Sequence, residues 1–164
     1  MPNIHVYNKH FHFHLNGVSI PSATLHIHHY KDDDSIKMSW SVCSEKDNFC
    51  RRTGADIAKR NMSCGEYVTG VRDHNVPLEV NLFDILETGM INTPHEDSCY
   101  SSEYYRKQAL QAIAGVHMMK SVAEMMEMYK SDSEEQRPSY HMEDRNWLID
   151  SFMANLPFYT SNIA

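Results

Sequence analysis

The stretch TLHIHHYKDDDSIKMSWSV, residues 24–42, contains two alternating runs of residues on either side of an acidic turn. Alternation with a period of two places successive side chains on opposite faces of a β-strand. One face of the first run carries Leu25, Ile27 and His29, and the other carries His26, His28 and Tyr30. The apolar face of the second run carries Ile36, Met38, Trp40 and Val42. The stretch predicts an antiparallel strand pair with one buried face, anchored by Trp40, and one face in water.

The residues from Val6 to Leu15 alternate in the same way and predict one further strand. Its apolar face carries Tyr7, Phe11, Phe13 and Leu15, and its polar face carries Asn8, His10, His12 and His14. The Asn16-Gly17 pair after it is a strong signal for a tight turn, and residues 18–20 are expected to begin a return strand. Together the strands predict an antiparallel meander.

Helical patterns dominate the rest of the chain. A basic helix is expected from a cap at Asp47 or Asn48 to about Met62, with Gly54 indicating a close backbone approach. The other predicted elements are a strand at 66–71, a short helix at 81–87 stopped by Gly89, a loop at 92–102, a long amphipathic helix at 103–130, an acidic hinge at 131–138 and a final short helix at 142–155. The fold class is therefore predicted to be α+β, in which an N-terminal antiparallel sheet packs with helices.

The composition sets the broad class of the protein. The 164 residues suit one domain, 1–164, with a β-rich part at 1–45, the basic helix at 46–62, a mixed part at 63–102 and a helical part at 103–164. No apolar stretch is long enough for a membrane span, and the first residues lack a secretory signal, so a cytoplasmic protein is expected. The net charge of −7 argues against nonspecific coating of nucleic acids.

The histidines are concentrated near the start of the chain. If the first two strands pair, five imidazoles share one sheet face and could bind Zn²⁺, Ni²⁺ or Cu²⁺. These weak metal candidates are His10, His12, His14, His26 and His28. The alternative interpretation is a solvated polar face, or a face that docks a partner. His29 shares a face with Leu25 and Ile27, so it is expected to be a core histidine with a satisfied hydrogen bond.

The cysteines show no C-x-x-C pair, so the usual zinc-ribbon spacing is missing. They are Cys43, Cys50, Cys64 and Cys99. The interpretation favoured is reduced thiols that pack as small apolar groups; two disulfides are the alternative.

Five of the 15 basic residues fall within 15 positions of an acidic chain. Arg51 and Arg52 lie in the first turn of the predicted helix, where free backbone N–H groups favour an anion. The candidate ligand-binding residues are Lys46, Phe49, Arg51, Arg52, Lys59 and Arg60. Phe49 would stack on the ligand or pack in the core. The alternative is a solvated charged helix face.

The segment CSEKDNFCRRTGADIAKR, residues 43–60, resembles a signature of small bacteriophage accessory proteins that act against bacterial defence. The resemblance covers 18 residues, and it extends to sponges that sequester cyclic nucleotide signals of the Thoeris type. It implies a viral protein that acts in the host cytoplasm and binds a nucleotide. Ala55 stands where the signature has Arg, and Lys59 where it has Gly.

No catalytic motif is recognisable: the sequence has no G-x-S-x-G, Walker A, G-x-G-x-x-G or H-E-x-x-H pattern. The leading expectation is a non-enzymatic, phage-encoded binding protein without a cofactor that sequesters a phosphate-bearing, cyclic nucleotide signal. One alternative is a protein–protein inhibitor or adaptor that acts on a host factor, and another is a metal-binding protein that uses the histidine face. The Met-rich long helix is expected either to form a homo-oligomer or to belong to the core.

Overall fold

The computed structural model describes residues 3–15, 17–94 and 98–131. The predicted acidic hinge and final helix therefore lie almost wholly outside the described residues. The elements are β1 (Ile4–Phe11), β2 (His14–Leu15), β3 (Val18–Ser19), β4 (Ser22–Tyr30), β5 (Ser35–Cys43), α1 (Arg51–Ser63), β6 (Tyr67–Val71), α2 (Leu78–Thr88), β7 (Ile91–Asn92) and α3 (Ser98–Ser131). The fold is α+β, as predicted.

Five strands form one antiparallel sheet in the order β1-β4-β5-β6-β7, which confirms the predicted meander. The prediction of a single strand from Val6 to Leu15 is wrong, because β1 ends at Phe11 and β2 belongs to a separate two-stranded sheet with β3. Phe11 pairs with Ala23, close to the first residue of β4. Pro21 precedes that strand and has no N–H group to continue the ladder, so β1 has no partner further along.

One face of the sheet packs against α2 and α3 and forms the hydrophobic core. Trp40 is buried there, as predicted, and so are alternate residues of the central strands and of α3. The fully buried members include Leu25, Ile27, Ile36, Met38, Val68, Leu82, Ala109, Ala112 and Val116. His29 is also buried, and its Nε2 lies 2.9 Å from Asp34 Oδ1, which confirms the satisfied core histidine.

The opposite face is covered by α1, so the prediction of a sheet face in water is wrong for its central part. The Ser39 hydroxyl donates to the Ala58 carbonyl at 2.6 Å, and the Ser41 hydroxyl donates to the Gly54 carbonyl at 2.7 Å. A Cβ atom at Gly54 would lie 2.5 Å from Thr24 Oγ1, which confirms the predicted close approach. A polar face can be buried because its hydroxyls bond the backbone of the helix.

The helix bounds differ from the predicted ones. α1 begins at Arg51 after an N-cap at Cys50, rather than near Asp47, because residues 44–47 form a turn closed by the Asp47 N–H and the Ser44 carbonyl. α2 begins earlier than predicted, directly after Pro77, which suits a helix start. α3 begins at Ser98, inside the predicted loop. Among the described residues, no helix has the length and apolar composition that crossing a membrane requires.

Candidate functional site

A groove of about 550 Å³ lies between the second half of α1 and the polar face of the sheet. The register places Val6 and Lys37 on either side of His28, because β4 lies between β1 and β5. Alternation within β4 adds His26 and Tyr30 to the same face. The lining residues are Val6, His26, His28, Tyr30, Lys37, Lys59, Met62, Ser63 and Tyr67. Four strands and one helix therefore build this groove.

The groove carries two ammonium groups and no carboxylate among its lining residues. Lys37 Nζ lies 5.0 Å from the centroid of the Tyr67 ring and 5.7 Å from that of Tyr30, which is cation–π distance. Lys59 approaches from α1. Within the described part of the chain, neither lysine has an ion pair with a carboxylate. The local charge is therefore positive in a chain whose net charge is −7.

The groove also lies at the C-terminal end of α1, where free carbonyl oxygens would repel an anion. These oxygens are already bonded. The Ser63 hydroxyl donates to the Lys59 carbonyl at 3.1 Å, and the Cys64 N–H donates to the Arg60 carbonyl at 2.9 Å. The next two carbonyls, of Asn61 and Met62, accept from the N–H groups of Glu66 and Gly65. The carbonyl oxygens of residues 59–62 thus already accept hydrogen bonds, which weakens their repulsion of an anion in the groove.

His26 and His28 form a hydrogen-bonded pair in the groove. His26 Nδ1 lies 2.8 Å from Asn8 Oδ1, and because an amide oxygen only accepts, His26 Nδ1 carries the hydrogen. His26 Nε2 is then an acceptor, and it lies 3.0 Å from His28 Nε2, which donates. The two neutral rings therefore have opposite tautomers, each set by a hydrogen bond.

Both imidazoles have their pKa lowered from the usual value for histidine. For His26 the causes are burial and then the charges of His28 and Lys59; for His28 they are burial and then Lys37 and Lys59. Burial and neighbouring cations both disfavour the imidazolium form. At neutral pH the pair is therefore neutral, and the two lysines supply the positive charge of the groove.

A second histidine cluster lies at the other end of α1. The His12 ring stacks on Phe49 with 4.6 Å between the centroids and an angle of 19° between the planes. His12 Nδ1 lies 2.8 Å from Ser22 Oγ, and His10 Nδ1 lies 3.0 Å from Thr24 Oγ1. Burial, followed among other causes by the charge of Arg51, lowers the pKa of both histidines. Phe49 thus has a ring partner within the chain, and it lines a smaller cavity of about 250 Å³.

The structure separates the residues that the sequence grouped as ligand-binding. Of the six, Lys59 lines the groove and Phe49 lines the smaller cavity. Lys59 is exposed at the rim of the groove, and the remaining four are also exposed but line neither cavity: Lys46, Arg51, Arg52 and Arg60.

The five histidines proposed as metal candidates do not form one cluster. His26 and His28 lie in the groove, His10 and His12 lie near Phe49, and His14 belongs to the β2–β3 hairpin. Across the side chains that the structure describes, no group of three or more His, Cys, Asp or Glu is placed to hold a metal ion. Cys43, Cys50 and Cys64 are free thiols. Hydrogen bonds with Thr53 lower the pKa of Cys50, the N-cap of α1.

Sequence reasoning missed Lys37, Tyr67 and Ser63 as residues of the site. Lys37 could have been predicted from the sequence, because alternation places it on the polar face of β5 and the tight acidic turn sets it opposite His28. Tyr67 carries no such signal, because the pairing of β6 with β5 depends on the path of α1 between them.

Comparisons with protein-family models, with curated proteins and with solved structures found no match.

Proposed function

We propose that this protein binds a phosphate-bearing small molecule in the groove between α1 and the sheet, without chemical conversion. The observation that carries the proposal is the pair of lysines, Lys37 and Lys59, in a groove whose lining residues include no carboxylate. An ammonium group is a common phosphate partner, and two of them match a ligand with two negative charges.

The size and the other lining groups support a ligand of nucleotide size. Pockets for small molecules span roughly 300–1,000 Å³, and the groove holds about 550 Å³. Ser63 and the hydroxyls of Tyr30 and Tyr67 add hydrogen-bonding groups that can contact a sugar or base. The apolar side chains of Val6 and Met62 add contact area for the uncharged part of a ligand.

Retention of such a ligand amounts to sequestration, the role that the resemblance of residues 43–60 to phage anti-defence proteins implies. We therefore extend the proposal to a cyclic nucleotide signal as ligand and to removal of that signal from solution as the outcome. Lys59 lines the groove, but the signature has Gly at that position, so the lysine pair supports the proposal independently of the resemblance.

A thermal-shift and calorimetry panel tests this function. The panel contains inorganic phosphate, adenosine monophosphate, and cyclic mono- and dinucleotides. We expect at least one nucleotide to stabilise the protein, and Lys37→Met and Lys59→Met each to weaken its binding about tenfold or more, because each removes one charged hydrogen bond to phosphate.

Lys46→Met is the matched control, since Lys46 is an exposed lysine outside the groove. It should leave binding unchanged. Loss of binding in Arg51→Gln or Arg52→Gln, with full binding in the Lys37 and Lys59 variants, would place the site at the start of α1 and contradict the proposal. No stabilisation by any member of the panel would also contradict it.

A further inference from the structure

His26 and His28 share one hydrogen between two facing nitrogens, His26 Nε2 and His28 Nε2, which are 3.0 Å apart. A second proton between them would place two N–H groups against each other and break the contact. His28 Nδ1 is a different case, because among the described residues no hydrogen-bond partner is found for it. One proton can therefore be added at His28 Nδ1 while both existing hydrogen bonds are kept.

The surroundings keep that proton away while the groove is empty. The charged and titratable groups that face the pair are Lys37 from β5, Lys59 from α1, Tyr30 from β4 and Tyr67 from β6. β1 contributes Asn8 and Val6, which do not titrate. An anion between the two lysines would cancel their charge and would also attract an imidazolium directly.

We infer that the imidazole pair couples anion binding to the uptake of one proton at His28 Nδ1, so that the groove binds a dianion more tightly in mildly acidic solution. The inference rests on the proposed function, since it concerns the same groove. The proton comes from solvent, and the positive charge on the His28 ring strengthens its hydrogen bond to His26 Nε2. The site then presents three positive charges to the ligand where the empty groove presents two.

The direction of the pH effect follows from linkage. Burial and the two lysines lower the pKa of the pair in the empty groove, and a bound anion should raise it by offsetting the charge of the lysines. The affinity for the anion therefore rises as the pH falls through the pKa of the anion-bound state, and it levels off below the pKa of the empty groove. A difference of one pKa unit between the bound and empty states corresponds to about a tenfold change in affinity.

Inorganic sulfate is the probe that tests this coupling, because it keeps two negative charges throughout the neutral and mildly acidic range. Imidazole ¹⁵N NMR titrations with and without sulfate follow each ring nitrogen. We expect sulfate to raise the pKa of the His26–His28 pair by about one unit and to leave that of His12 much less affected. Sulfate affinity should rise steadily from pH 8 to pH 5, toward a limit about tenfold above its pH 8 value once the pH lies below the pKa of the empty groove.

His28→Gln keeps an N–H donor toward His26 but removes the proton site. It should bind sulfate with little dependence on pH, whereas the matched variant His12→Gln should behave like the wild type. Sulfate binding that is lost in Lys59→Met but keeps the same affinity from pH 8 down to pH 5 would overturn the inference and leave the proposed function standing.

Absence of any Lys37- or Lys59-dependent response to sulfate would overturn this inference, whereas the proposed function is overturned only if the nucleotides of the panel also fail to bind. The NMR titration of the wild-type protein decides the question even if His28→Gln fails to fold.

Discussion

Gly54 shows how the absence of one side chain positions a helix on a sheet. A Cβ atom there would lie 2.5 Å from Thr24 Oγ1, closer than such atoms approach, and 3.2 Å from Thr24 Cβ, which is a tight contact. Thr24 is itself buried and is held by His10. The helix can therefore pack closely on the polar face because position 54 has no side chain.

Gly54→Ala is predicted to destabilise the protein by about 1–3 kcal/mol through overpacking. In an exposed helix the same change would stabilise by about 1 kcal/mol, so the sign of the effect is diagnostic. Urea unfolding measures the free energy of unfolding. In a Thr24→Ala background, the destabilisation by Gly54→Ala should be smaller, because Thr24 Oγ1 is missing. A Gly54→Ala variant as stable as the wild type would contradict the close packing at this position.

At the scale of elements, α1 is attached to the sheet by hydrogen bonds from strand and helix side chains to backbone carbonyls. Two of these come from Ser39 and Ser41 on β5, and a third runs from Asn61 Nδ2 to the Trp40 carbonyl at 3.0 Å. Ala58 is the fully buried apolar contact of α1 on this face. The helix therefore depends on polar contacts more than α2 and α3 do, and it forms one wall of the groove.

Ser39→Ala is predicted to lower the free energy of unfolding by about 1 kcal/mol, the usual net value of a buried hydrogen bond. Ser121→Ala is the matched control, because the Ser121 hydroxyl also donates to a helix carbonyl, that of His117, but is exposed. The control should change stability little. Equal effects of the two variants in urea unfolding would argue against polar docking of α1.

At the scale of the whole molecule, the charges are unevenly distributed and the histidines link stability to pH. Burial first, and nearby positive charges second, lower the pKa of four histidines on the α1 face: His10, His12, His26 and His28. The unfolded chain binds protons at these sites more readily than the folded protein does. Acid should therefore favour the unfolded state over the range in which these histidines titrate.

The urea concentration at the unfolding midpoint of the ligand-free protein is accordingly predicted to decrease as the pH is lowered from about 7.5 to about 5.5, because the histidines of the unfolded chain become protonated. Asp34 adds a further loss of stability at lower pH, because hydrogen bonds from His29 and His74 hold the pKa of its carboxyl below the usual value. The variant His28→Gln should make the urea midpoint depend less on pH above pH 5.5. A midpoint that is constant or rises as the pH is lowered over this range would show that folding does not lower the pKa of these four histidines.

The long central strands and the long helix of this protein could be predicted from local pattern. Alternation in residues 24–42 predicted two strands and the buried Trp40, and the spacing of Ala109, Ala112 and Val116 predicted the long helix. Such patterns are readable because a buried face imposes the period of the element on the residues that fill it. Gly54 was readable for a related reason, since a glycine inside a helix lowers its stability unless a close contact requires it.

The groove depended on tertiary structure. Its two lysines lie 22 positions apart, at Lys37 and Lys59, and they meet because α1 folds back over the polar face of the sheet. Periodicity in the sequence does not predict that contact, because the helix is held by hydroxyl and amide groups, which also occur on solvated surfaces. The same packing buried His26 and half-buried His28, which the sequence had placed in water. Local periodicity reports which face of an element is apolar, and only the packing of α1 decided that the polar face would be enclosed as well.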